Sequence, residues 1–196
     1  MSRVTPLESP YAPELQAHFD RIMPPGVPPL VLFRTVATSE RAWRKFSDGS
    51  LLDRGPLSLR EREIVIDRTC ALTRCEYEWG VHVTFFAERA RLSGEQVRAT
   101  VHESANAACW SQAERVLIEA VDALHHRATW SKTEFDALKR HYGDEQILEI
   151  IQLCGFYRTV SYFANALDLP LETMAARFPA SVADPVASDT GSSSAR

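Results

Sequence analysis

Apolar residues recur along this chain at helical spacing, and polar start signals open most of the runs. The first run, APELQAHFDRIM, covers about 12–23 and stops before Pro24-Pro25, a pair that no helix interior accepts. Shorter helices are predicted over about 29–37 and 39–53. The main pair is about 59–73 (LREREIVIDRTCALT) and 75–91 (CEYEWGVHVTFFAERAR). Further helices fit about 94–102, 111–127, 132–142 and 144–167, with Leu171–Phe178 as a last short one. In a capping box, Ser or Thr precedes Glu or Gln by three residues, and each side chain bonds the other's backbone N–H. The pattern stands at Ser58/Glu61, Thr73/Glu76, Ser93/Gln96, Ser111/Glu114 and Ser131/Glu134. The run 144–167 is apolar around most of its circumference, which predicts burial on several sides, one of them by a subunit contact. No stretch reads convincingly as a strand, and only 8 glycines are present, so a hairpin-rich all-β fold is disfavoured. The fold class is all-α.

Composition narrows the function classes. A chain of 196 residues suits one domain with a sizeable core. Lys plus Arg is 22 and Asp plus Glu is 26, so the net charge is −4 and nothing draws the chain to nucleic acid or an anionic membrane. No apolar stretch reaches transmembrane length, and the N-terminus MSRVTPLESPYAPELQ lacks the apolar core of a signal peptide. Four cysteines (Cys70, Cys75, Cys109, Cys154) are too few for a disulfide scaffold. The expectation is a cytoplasmic protein with reduced thiols. Residues 1–27 read as an N-terminal segment with one helix and 28–178 as the domain proper. Residues 179–196, small and polar, read as a disordered tail.

Candidate chemistry concentrates on the helix that begins at Cys75. Cys75, Glu78, Trp79, His82, Phe86 and Arg89 share one side of it. With Thr73 as N-cap, Cys75 would sit in the first turn, where backbone N–H groups favour a thiolate. A thiol, a carboxylate and an imidazole on one stripe are parts for proton transfer or nucleophilic attack. On the preceding helix Glu63, Asp67 and Cys70 form another stripe. A short break at Leu72–Arg74 can fold the two helices together and bring Glu63 to face His82. The same residues have a plainer reading: Cys75 as a small packing residue, His82 as a satisfied core histidine, and Trp79, Phe85 and Phe86 as core. Glu78 and His82 have i, i+4 spacing, but no further Glu-x-x-His, Cys-x-x-Cys or His-x-x-x-His completes a metal set, so no metal and no cofactor are expected. His125-His126 suits a helix end.

The segment LSLREREIVIDRTCALTRCEYEWGVHVTFFAERARLSGEQV resembles the core motif of the carboxymuconolactone decarboxylase family, which includes the alkylhydroperoxidase D-like proteins. That motif is Glu, eleven residues, Cys, two residues, Cys, three residues, His. Glu63, Cys75 and His82 match it, and Glu78 stands where the second cysteine belongs. The -CEYEWGVH- version is similar to a non-peroxidase-like branch, and the resemblance covers about residues 28–170. It implies an alkylhydroperoxidase D-like helical fold, a homo-oligomer (trimer or hexamer) and a pocket for a small-molecule substrate. The candidate catalytic residues are His82, Glu63, Cys75 and Glu78, and the candidate substrate-binding residues are Tyr77, Trp79 and Arg74, with Arg89 a second candidate carboxylate ligand. Loss of the second thiol breaks a two-cysteine peroxidase cycle. The leading expectation is therefore decarboxylase-like proton transfer on a small carboxylated molecule, with His82 as the acid. Thiol-dependent peroxide reduction through Cys75 is the alternative, and a non-catalytic ligand-binding protein is a third.

Overall fold

In the computed structural model, which describes residues 2–180, the chain folds into nine helices and no strand among the described residues. They are α1 (Pro13–Ile22), α2 (Val31–Val36), α3 (Glu40–Asp48), α4 (Leu59–Leu72), α5 (Glu76–Phe86), α6 (Gly94–His102), α7 (Gln112–Arg127), α8 (Lys132–Lys139) and α9 (Asp144–Ala166). Four of the expected capping boxes form, at Ser58, Ser93, Ser111 and Ser131. The fifth does not. Thr73 ends α4 instead, its hydroxyl within hydrogen-bond distance of the carbonyl oxygens of Thr69 and Cys70 and of the Ser161 hydroxyl. Arg74 then enters the left-handed region at φ 54°, Cys75 N–H donates to Cys70 O at 2.8 Å, and Arg74 N–H donates to Ala71 O at 3.0 Å. These paired bonds are a Schellman turn, and they compete with a helix start at Thr73 and win. Cys75 is thereby the N-cap of α5 rather than a first-turn residue.

Helix α4 is the central element and packs against α5, α6, α7 and α9. Every residue from Arg62 to Cys70 is buried, so its polar members need partners inside the protein. Arg68 has them: it forks onto Asp122 at 2.7 and 2.9 Å and donates to the carbonyls of Thr100 and Glu103, tying α4 to α6 and α7. Helix α9 buries Ile150, Leu153, Tyr157 and Val160 within the chain, but Leu148, Ile151 and Tyr162 stay exposed, so one side of its apolar circumference has no cover here. Phe19 of α1 packs edge-on against Trp43 of α3, joining the N-terminal segment to the same core.

Residues 171–180 correct another expectation. Leu171–Phe178 is not a helix but a strap laid across α5. Ala176 N–H donates to Gly80 O and to the Thr84 hydroxyl, Phe178 N–H donates to Glu76, and the Phe178 ring lies 5.1 Å from Trp79. Gly80 makes this approach possible, because a Cβ there would stand 2.2 Å from the Ala176 carbonyl oxygen. Tertiary bonds to α5 outweigh the weak helical pattern of so short a segment. The expected tail, from residue 181 onward, lies outside the described residues.

Candidate functional site

The turn at 73–75 folds α5 back on α4, so Glu63 near the start of α4 meets His82 near the end of α5. Glu63 Oε2 lies 2.7 Å from His82 Nδ1, and both side chains are fully buried. Glu78, one helical turn before His82, places Oε1 3.4 Å from Nε2. Arg62 holds the other oxygen of Glu63 from Nε at 3.0 Å and Nη2 at 2.9 Å, and its Nη1 donates to Leu52 O. The result is a buried chain of alternating charge, Arg62–Glu63–His82–Glu78. Tyr157 from α9 meets the imidazole edge-on at 4.9 Å, and the Phe86 ring lies 5.2 Å away.

Burial is the largest single influence on His82 and by itself lowers an imidazole's pKa. The charge and hydrogen bond of Glu63, followed by those of Glu78, together outweigh it and raise His82 to about 10. At neutral pH the ring is an imidazolium with two N–H donors, one spent tightly on Glu63 and one held loosely toward Glu78. Glu78 Oε2 is buried without a partner. Asp67, one turn after Glu63, is also buried with an unpartnered Oδ1. Burial and then the Glu63 charge push its carboxyl well above the usual range, favouring the neutral acid.

A cavity of about 570 Å³ opens beside this chain, walled by the end of α1, α2, the loop 52–57, α4, α5 and α9. Met23, Phe33, Leu57, Val81, Phe85 and Phe86 make much of its lining apolar. Of the seven residues singled out in the sequence, Glu78 and His82 line it. Glu63 stands behind His82 and reaches the cavity only through the imidazole. Cys75 is fully buried and does not line the cavity, contrary to the expectation of four residues on one pocket. Burial raises its thiol to about 11; the Glu78 charge adds to this, and hydrogen bonds from Glu78 N–H and Ser161 oppose it without prevailing. Cys70 and Cys75 are both free thiols. Tyr77 accepts from Leu32 N–H at 2.9 Å and donates to Glu172, while Trp79 Nε1 donates to Thr100 at 3.0 Å. Arg74 is exposed at the left-handed turn. Tyr77 and Trp79 thereby hold elements together, and none of the three lines the cavity; Arg89 does line it.

Arg62 and Glu149 escaped the sequence reading. Arg62 directly precedes Glu63, so its position was visible but its partner was not. Glu149 comes from α9, far along the chain, with no motif to mark it. Among the described residues no cluster of three or more His, Cys, Asp and Glu side chains is arranged to hold a metal ion.

Residues 37–123 match the model of the carboxymuconolactone decarboxylase family. Over that segment the chain is similar to this family. The fold agrees with solved relatives. A peroxidase-related protein from Silicibacter sp. TM1040 superposes with a TM-score of 0.77 at 17% identity, covering 88% of this chain and 92% of that one. An alkylhydroperoxidase AhpD core protein from Ralstonia eutropha JMP134 gives 0.73 at 20% identity, covering 88% and 93%. The debrominase Bmp8 gives 0.64 at 19% identity, covering 87% and 92%. At these identities the likeness is one of alkylhydroperoxidase D-like fold. No curated protein sequence matches the chain. No helix among the described residues is long and apolar enough to cross a membrane.

Proposed function

We propose that this protein is a carboxymuconolactone decarboxylase-like enzyme acting on a small carboxylated organic molecule by acid/base proton transfer, with His82 as the general acid. One observation carries the reading: a buried imidazole, clamped at Nδ1 by Glu63 and only loosely held at Nε2 by Glu78, lines a largely apolar cavity. The 2.7 Å contact orients the ring and maintains its charge, while the 3.4 Å contact leaves the Nε2 proton transferable.

In a decarboxylation the C–C bond to the carboxylate breaks, CO₂ leaves, and the electron pair stays on a carbon conjugated to a carbonyl. His82 Nε2–H protonates that carbon, and the imidazole then regains a proton from water. Glu63 stabilises the imidazolium before transfer. Glu78, beside Nε2, is placed to pass the replacement proton. An apolar cavity also favours this step, because low polarity destabilises the localised carboxylate charge more than the same charge delocalised over the carbon and its conjugated carbonyl.

Thiol-dependent peroxide reduction is less well supported. Cys75 is buried off the cavity, its thiol is raised to about 11, and Glu78 stands at the resolving position. The experiment is a panel of small carboxylated lactones and 3-oxo acids scored by CO₂ release. His82→Asn and Glu63→Gln are expected to lose about a hundredfold to ten-thousandfold in turnover, and Cys75→Ser to keep most of it. Robust reduction of an organic hydroperoxide with a dithiol, abolished in Cys75→Ser, would overturn the proposal. A homo-oligomer belongs to the same reading, with the exposed Leu148, Ile151 and Tyr162 of α9 at a subunit contact.

A further inference from the structure

Two of the charged side chains lining the cavity, Arg62 and Glu78, are met by charged partners. Arg62 is held by Glu63 and the Leu52 carbonyl. Glu78 is met by His82. Asp53 and Arg54 lie on the exposed loop 52–57 without an ion pair to any described residue, and no aromatic ring holds Arg54 at the cavity. Arg89 and Glu149 remain.

Arg89 makes neither hydrogen bond nor ion pair with any described residue. Its guanidinium sits 5.4 Å from the centroid of Phe86, the ring that Arg62 also approaches at 5.4 Å. Stacking on Phe86 holds the group at the cavity while leaving its N–H donors unspent. Arg89 follows His82 by seven residues, in the turn just after α5, and both line the cavity, so a ligand reaching from one to the other lies along its wall.

Glu149 is the reverse case. It reaches the cavity from α9, is 8% exposed and has no ion pair with any described residue. Its carboxyl packs against Gly55: a Cβ there would stand 2.3 Å from Oε2, so a larger residue would push the carboxyl aside. Burial lifts its pKa, Arg62 lowers it and Asp53 raises it, with a net rise. A second carboxylate brought beside this group must either face a like charge in a low-polarity cavity or force Glu149 to take up a proton. Both cost affinity, more so as pH rises.

We propose that the cavity selects small aromatic or unsaturated monocarboxylates, anchoring the single carboxylate on Arg89 at the rim and rejecting a second one through Glu149 in the α9 wall. Phe33 and Phe85 supply the flat apolar surface that such a ligand covers. The inference rests on the proton-transfer reading of the same cavity and names its substrate class. Its readout is equilibrium binding, so this selectivity can fail while His82 still catalyses, and catalysis can fail while the selectivity stands.

The test uses three probes of matched size at mildly alkaline pH: 4-acetylbenzoate (one carboxylate), terephthalate (two) and 4-acetylbenzamide (none), titrated into the full-length protein by calorimetry. The wild type is expected to prefer 4-acetylbenzoate to each of the others by about tenfold or more. Arg89→Gln loses the preference over the amide, Arg89→Lys keeps part of it, and Arg74→Gln, outside the cavity, keeps it all. Glu149→Gln narrows the gap to terephthalate without weakening 4-acetylbenzoate. A wild type that binds the amide as well as the acid, binds terephthalate equally well, or binds none of the three overturns the proposal. So does Arg89→Gln with an unchanged preference.

Discussion

Replacing Glu63 by Gln keeps the size of the side chain and a hydrogen-bond acceptor for His82 Nδ1 while removing one charge. In the wild type that charge offsets burial and helps raise the imidazole from 6.5 to about 10. At about 1.4 kcal/mol per unit, the displacement corresponds to roughly 5 kcal/mol in favour of the charged ring, contributed by Glu63 and Glu78 against burial. In the Glu63→Gln protein only Glu78 at 3.4 Å opposes burial, and His82 is expected to titrate several units lower. Arg62 loses its carboxylate too, so the fold is expected to lose about 3–5 kcal/mol, a Tm drop on the order of 10 °C. The sign of the pH dependence follows from the direction of the shift. A folded pKa above the unfolded 6.5 means that the stabilisation is complete below pH 6.5 and is lost as pH rises toward 10, with a slope of up to about 1.4 kcal/mol per pH unit. In Glu63→Gln this alkaline loss should largely disappear, leaving a protein that is weaker near neutral pH and flatter above it. Imidazole NMR titration gives the pKa, and unfolding at a series of pH values gives the slope. A wild-type His82 that titrates near 6.5, or a Glu63→Gln protein with an unchanged titration, refutes the charge-chain account.

Three other outcomes are expected. Native protein treated with iodoacetamide should be modified first at the partly exposed Cys109, with Cys70 and Cys75 reacting only on the timescale of unfolding; peptide mass spectrometry reads the order. Gly80→Ala forces a methyl group onto the Ala176 carbonyl and should destabilise the protein by about 1–3 kcal/mol, seen in thermal melts and in faster proteolysis within residues 171–180. Light scattering should find the wild type larger than a 22.0 kDa monomer, and Leu148→Glu with Tyr162→Glu should shift it toward that mass.

Helix positions were legible in the sequence because their signals are local. Ser58, Ser93, Ser111 and Ser131 each bond a backbone N–H three residues away, and that geometry needs nothing from the rest of the chain. The pairing of Glu63 with His82 was legible for a related reason: two helices joined by a three-residue break have little choice but to pack side by side. Thr73 shows the limit. It carries the same pattern as the four serines, yet the Schellman turn and the Ser161 contact, neither written in that pattern, recruit it to the end of α4. Residues 171–178 show it again, since their helical spacing yields to the space that Gly80 leaves on a helix some ninety residues earlier. The side of α5 that holds Cys75, Glu78 and His82 could be read from helical periodicity, but which of them meet open space could not. That depends on the end of α1, the loop 52–57 and α9 closing around one portion of the stripe, which leaves His82 and Glu78 at the cavity and seals Cys75 away. Hydrogen bonds of three or four residues' reach set the helices. The site came from burial, a collective quantity summed over elements far apart in the chain, and it alone brings Arg62 and Glu149 to one cavity and shifts the acids and thiols around it.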